Sequence, residues 1–219
     1  MEIKIEFVIR SQEILRLAKL LKIEKKPQEL IKEACTNLKT VKKAWIENRE
    51  FAGGVIKKLF KNASQIEQIA VSIVPECFCV GAVETAGKII LLGQPIRSQN
   101  FPAAIILHEI GHVLLKNSDL ESTQIIDEAV CMLIENELYL REGKSLNEIW
   151  NKNELDMFHR KALDIALVNG PFFKKSLDKG LLKEFISGIK RNLDIKTLEM
   201  VPLAGVLNNI AHSRRKLHL

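Results

Sequence analysis

The chain has 219 residues, 47% of them hydrophobic and 27% charged, with a formal net charge of +6. That balance predicts a soluble globular protein of one domain, or one domain with an appended lobe, long enough to bury a substantial core. No apolar run reaches the roughly 18–20 residues of a membrane span, and nine Phe, one Tyr and two Trp are too few for an aromatic stacking surface on nucleic acid.

The N-terminus, MEIKIEFVIR, alternates charge with aliphatics and lacks a signal-peptide core with a small-residue cleavage site, which predicts a cytoplasmic protein. Glu2 to Ile9 alternates loosely, as an edge strand would. Ser11 offers an N-cap to SQEILRLAKLLKIE, where Ile14, Leu17, Ala18, Leu20 and Leu21 form an amphipathic stripe. Pro27 suits the first turn of a second helix, with Leu30, Ile31, Ala34, Leu38, Val41 and Trp45 at helical spacing. Gly53-Gly54 is expected to break or bend the chain before VIKKLFKNA. Nothing in this N-terminal helical segment, residues 1–61, names a chemistry; it reads as a scaffold or a prodomain-like cover.

From Gln68 the period changes. QIAVSIVP, CFCVGAVE and KIILLG are short runs rich in β-branched residues, and they predict a small sheet with a hairpin between the last two. A strand there could present its edge to an extended peptide. The four cysteines, Cys35, Cys77, Cys79 and Cys131, are scattered rather than framed for bridges. Cys77 and Cys79 would face one side of a strand, where ordinary packing thiols and a metal or redox role both remain open. Charge is segregated: residues 1–61 carry 15 Lys/Arg against 8 acids, residues 62–143 carry 4 against 11, and residues 144–219 carry 14 against 8. The acidic middle favours a cation. The basic flanks are solvated helix faces or a patch for an acidic partner.

The middle segment holds PAAIILHEIGHVLLK, Pro102 to Lys116. Residues four apart lie one above the other on a helix, so His108 and His112 point the same way. Two neutral imidazoles on one face make half of a Zn²⁺ site, and Glu109, about 100° round the helix, can take a proton from metal-bound water. Every residue between Ala103 and Leu115 other than these three is apolar or glycine, which predicts burial on nearly all sides. Buried polar groups left unpaired cost roughly 1–3 kcal/mol each. A metal satisfies all three together; the alternative is two core histidines hydrogen-bonded to backbone or carboxylates.

A third ligand must come from elsewhere. Lys116 to Asp119 reads as a turn, and a second helix is expected from about Glu121 to Glu142, stopping at Gly143. It carries Glu121, Asp127, Glu128, Glu135 and Glu137 as candidates. On a helix that starts near Ser122 and returns antiparallel, Glu128 lies about 9 Å up, level with the histidines, whereas Glu135 lies about 20 Å up, past both. Glu128 is the expected ligand. Its competitor is a solvated face, since Glu121, Glu128, Glu135 and Glu142 recur every seven residues. The C-terminal helical lobe, residues 144–219, reads as NELDMFHRKALDIALV, LLKEFISGIKR and IKTLEMVPLAGVLNNIAHSRRK, with Gly170, Pro171 and Gly180 at the joints. His159 stands alone on a charged helix, as surface histidines do. Tyr139 lies three turns beyond Glu128, too far to reach the centre on a straight helix. The whole predicts an α+β, mostly helical fold with a metal-binding core at residues 62–143.

HEIGHVLL followed by IIDEAVCMLIE resembles the gluzincin-type zincin metallopeptidases, above all the minimal gluzincins and peptidase-MA-like families, over roughly residues 68–142. The resemblance implies a zincin-like core, one Zn²⁺ per chain on His108, His112 and Glu128, and Glu109 as general base in the hydrolysis of a peptide or protein substrate. It also implies that the strand ending KIILLG is the substrate-binding edge strand, and it gives His159 a possible role as transition-state donor. Similarity to the ImmA/IrrE-like proteases is weaker, because their usual glutamate would fall on Ile126. A metzincin is excluded, with Ser118 at the place of its third histidine and Leu115 at that of its glycine. Two rival readings stay open: a catalytically silent binding or regulatory scaffold, and a latent enzyme whose terminal helices block the cleft.

Overall fold

The computed structural model describes residues 4–60, 68–78, 82–85, 88–91, 96–118, 120 and 122–193. Its elements are β1 (Lys4–Val8), α1 (Ser11–Leu20), α2 (Pro27–Leu59), β2 (Gln68–Ile73), β3 (Ala82–Thr85), β4 (Lys88–Leu91), α3 (Phe101–Lys116), α4 (Gln124–Leu140), α5 (Leu146–Ile149), α6 (Met157–Lys179) and α7 (Leu182–Asn192). The fold is α+β and mostly helical. Four strands form one sheet in the order β1-β2-β4-β3, with β1, β2 and β4 parallel and β3 antiparallel to β4. Ile69, Val71 and Ile73 of β2, a strand paired on both sides, are buried, as the period-two apolar pattern demands.

The sheet corrects one expectation. β4, the KIIL strand, is interior, hydrogen-bonded to β2 on one side and β3 on the other; the antiparallel edge strand is β3, AVET. The backbone of β3 runs beside α3. A strand can pair through either edge, and local pattern does not choose between them. The CxC reading also changes: Cys77 lies in a 3₁₀ turn, Glu76–Phe78, not on a strand, and Cys79 falls outside the described residues.

Helix ends differ from their sequence signals in instructive ways. Ser11 is the first helical residue of α1 rather than its cap, which is Arg10 without a side-chain bond. α2 runs unbroken through Gly53-Gly54. Each glycine costs about 1 kcal/mol relative to alanine, but Ala52, Val55 and Ile56 are buried on the same helix and hold its axis. α6 likewise passes through Gly170-Pro171, with Ala166 before and Phe173 and Leu177 after all buried against the core. Gly180 is the stop, in the left-handed conformation at φ 65°. The third expected helix of the lobe, residues 194–219, lies outside the described residues.

α3 is the central helix. From Phe101 to Leu115 all residues but His112 are buried, among neighbours from α2, α4 and the sheet. One hydrophobic cluster draws on residues 41–60, 69–73, 101–149 and 162–189, so stretches from all three segments share a core. Asn100 fixes the register of α3 against α4: its Nδ2 donates to Leu138 O at 3.0 Å, its backbone N–H bonds Glu142, and its Oδ1 accepts from Asn48 Nδ2 at 2.9 Å. The start of α3 is thereby pinned to the end of α4, and the pair is antiparallel. No described helix is long and apolar enough to cross a membrane.

Candidate metal centre

The antiparallel pair puts Glu128 level with the two histidines of α3. His108 Nε2 and His112 Nε2 lie 3.1 Å apart, with ring centroids at 4.8 Å. Glu128 Oε1 is 3.4 Å from the first nitrogen and Oε2 is 3.2 Å from the second. Among the described residues His108, His112 and Glu128 form the group that could hold a metal ion. Its donor set is the test of fit. Two imidazole nitrogens at hydrogen-bond distance cannot both present lone pairs without a cation or a proton between them. Burial alone pushes His108 down and Glu128 up, but the attraction between them wins, holding His108 well above its ordinary value and Glu128 well below.

The two helices approach closely at this level. A Cβ on Gly111 would meet Cys131 Sγ at 3.0 Å and Ile134 Cδ1 at 3.3 Å, so glycine lets α4 approach α3 beside His112. Cys131 is a fully buried packing thiol, as its apolar setting implied.

Glu135 belongs to the centre, though not as a ligand. It is fully buried, its Oε2 lies 3.2 Å from His108 Nδ1, and its Oε1 accepts from Trp150 Nε1 at 2.6 Å. Axial rise alone sets it past both histidines. Side chains on a helix tilt toward its N-terminus, which carries this carboxylate back toward Glu128. The seven-residue glutamate stripe is therefore no solvated face at Glu128 and Glu135, which are 8% and 0% exposed.

Glu109 is buried beside the ligand group and is not part of it. Burial raises its carboxyl pKa against the pull of His108 and His112. His159 stands closer than a lone surface histidine would. Its Nε2 is 4.0 Å from Glu128 Oε1, and its Nδ1 is 2.9 Å from Asp156 Oδ2. Asp156 also caps α6, accepting from the His159 backbone N–H at 2.9 Å. A carboxylate only accepts, so Nδ1 carries the proton; burial pulls the His159 pKa down, but the Asp156 bond and the Glu128 charge outweigh it and hold His159 above its ordinary value. The Asp-x-x-His spacing at the helix start was the available signal.

The other candidates lie elsewhere. Asp127 and Glu137 are half-buried and stand outside the group of His108, His112 and Glu128. Glu121 lies outside the described residues. Tyr139 is buried and stacked on Phe101 at 6.4 Å, away from the ligand group. The Cys77 thiol sits by Glu33 and Lys25, its pKa pushed up to about 11 by burial and the carboxylate.

No family model matches this chain, and neither does any curated protein or solved structure with which it was compared.

Proposed function

We propose that the chain is a zinc-dependent peptidase of the gluzincin type. The observation that carries this reading is the convergence of His108 Nε2, His112 Nε2 and the Glu128 carboxylate: the nitrogens stand 3.1 Å apart, and one carboxylate oxygen lies 3.4 Å from the first and the other 3.2 Å from the second. Ligands about 2.05 Å from a tetrahedral zinc stand about 3.3 Å apart. His108, His112 and Glu128 would hold the ion with three atoms. His159 stands outside that group, so three protein ligands would hold the ion, the number found in catalytic rather than structural zinc sites. Zinc bound there supplies a Lewis acid and lowers the pKa of its water toward about 7. Glu109 accepts that proton at its carboxylate and returns it to the leaving amine; the burial that raises its pKa strengthens it as a base. His159, its tautomer held by Asp156, supplies the donor for charge developing on the substrate carbonyl. The edge of β3 that no described strand pairs with, beside α3, offers backbone pairing to an extended peptide.

One observation favours a second reading. His108, Glu109 and Glu128 are each no more than 8% exposed, which suits a latent enzyme or a binding scaffold built on the same centre. The test is metal content together with turnover of a peptide library, for wild type, His112→Ala, Glu128→Ala and Glu109→Gln. About one zinc per chain, lost in the two ligand variants, with turnover present in wild type and abolished in Glu109→Gln, supports the peptidase. Zinc without turnover leaves the scaffold or latent reading. Wild type that takes up no zinc overturns both.

A further inference from the structure

The indole of Trp150 reaches a fully buried carboxylate that in turn touches a proposed metal ligand. We propose that Trp150 is a positioning residue of the metal centre, acting through Glu135 to fix the orientation of His108; this rests on the metal reading above. Glu135 has no access to water, so each carboxylate oxygen depends on a protein donor. Oε1 has Trp150 Nε1–H at 2.6 Å, and Oε2 faces His108 Nδ1 at 3.2 Å. The Trp150 bond holds Oε1 and sets the plane of the carboxylate, which leaves Oε2 against His108 Nδ1, two buried atoms in close contact without an aligned hydrogen bond. With zinc on Nε2, on the side where His112 and Glu128 converge, the ring proton would sit on Nδ1, where Glu135 Oε2 is the acceptor at hand.

A neutral donor suits this position. A lysine or arginine on Oε1 would cancel the negative charge that makes His108 a better ligand, whereas an indole N–H orients the carboxylate and leaves the charge on it. Trp150 is itself held. Arg97 lies over its ring at 5.1 Å and donates to Ile149 O and Glu154 Oε2, both at 2.8 Å. Phe101, at the start of α3, packs on it at 5.7 Å. Buried Leu146 and Ile149 anchor the short helix that precedes it. The centre thus depends on a residue 22 positions beyond Glu128, on an element that supplies no ligand.

Zinc affinity of the full chain, measured by competition with a chromophoric chelator, tests this. Trp150→Phe keeps the ring contacts and removes the N–H; zinc should bind 10–100-fold more weakly. Glu135→Gln should weaken it to a similar extent, and the double variant should be little weaker than either single one, since both act on one link. Trp45→Phe, in the α2 core, controls for lost packing and should leave affinity unchanged. The Co²⁺-loaded visible spectrum should change in Trp150→Phe and Glu135→Gln but not in Trp45→Phe. In wild-type protein labelled with ¹⁵N-tryptophan, added zinc should shift one of the two indole resonances, a readout that needs no folded variant. Affinity within about twofold of wild type in Trp150→Phe, fully additive effects, or two unmoved indole resonances would overturn the proposal. Wild type that binds no zinc overturns the metal reading itself.

Discussion

Replacing Gly111 by alanine tests whether the spacing of α3 and α4 sets the geometry of the proposed metal site. The new Cβ would lie 3.0 Å from Cys131 Sγ and 3.3 Å from Ile134 Cδ1, against about 3.5–4.0 Å for a relaxed contact. Both obstructing atoms belong to α4, in the turns that follow Glu128, so relief moves that helix outward by about 0.5 Å. Overpacking costs roughly 1–3 kcal/mol, and the better helix propensity of alanine offsets about 1 kcal/mol of it. The expected net loss is about 1 kcal/mol, which lowers Tm by about 2–4 °C in a chain of this size. A shift of about 0.5 Å is also a quarter of a metal–oxygen bond of about 2.0–2.2 Å, so zinc affinity should fall about tenfold. Calorimetry on metal-free protein reads the first effect and chelator competition the second. Each is repeated with Cys131→Ala, which removes the nearest obstructing atom and should recover part of both losses. A Gly111→Ala chain as stable as wild type with unchanged zinc affinity, or defects indifferent to Cys131→Ala, would refute the reasoning.

Two further predictions concern charge at the same centre. In the metal-free protein His108 is raised, so its stabilisation is complete below its ordinary value of 6.5 and is lost as pH climbs through the raised one; Glu128 is lowered, so its share is present above 4.5 and is lost as pH falls through the depressed value. Glu109 and Glu135, raised chiefly by burial, lose stability in the same direction as His108 when pH rises. Urea midpoints of metal-free protein should therefore peak between about pH 4.5 and 6.5 and decline toward pH 8.5, with zinc removing the decline; midpoints that rise from pH 6 to 8.5 without metal would contradict the linkage. His159→Gln should keep zinc within about twofold and cut kcat by about 10²-fold or more, a split that metal analysis beside steady-state kinetics reads directly; loss of zinc in that variant would make His159 a ligand instead.

Local rules reach far in this chain because its candidate metal-holding side chains are set by helix geometry. The four-residue spacing of His108 and His112 and the apolar run around them are enough to place two imidazoles on one face of a buried helix. A short connection and a fixed rise per residue then bring Glu128 level with them. β1 and the ends of α6 at Asp156 and Gly180 obey equally local chemistry. Tertiary structure decided what depends on contacts between distant stretches. Whether β4 or β3 lies at the sheet edge is a choice of pairing partner, open to any strand with two edges. The continuity of α2 through Gly53-Gly54 and of α6 through Pro171 reflects burial of neighbours, which outweighs a local penalty of about 1–3 kcal/mol. Glu135 reaches His108 only because its side chain tilts back along α4 and Trp150 arrives from beyond it. His159 meets Glu128 only because α6 folds against α4. Spacing along one helix is written in the sequence, but which side chains from different elements share a few ångströms is settled by packing.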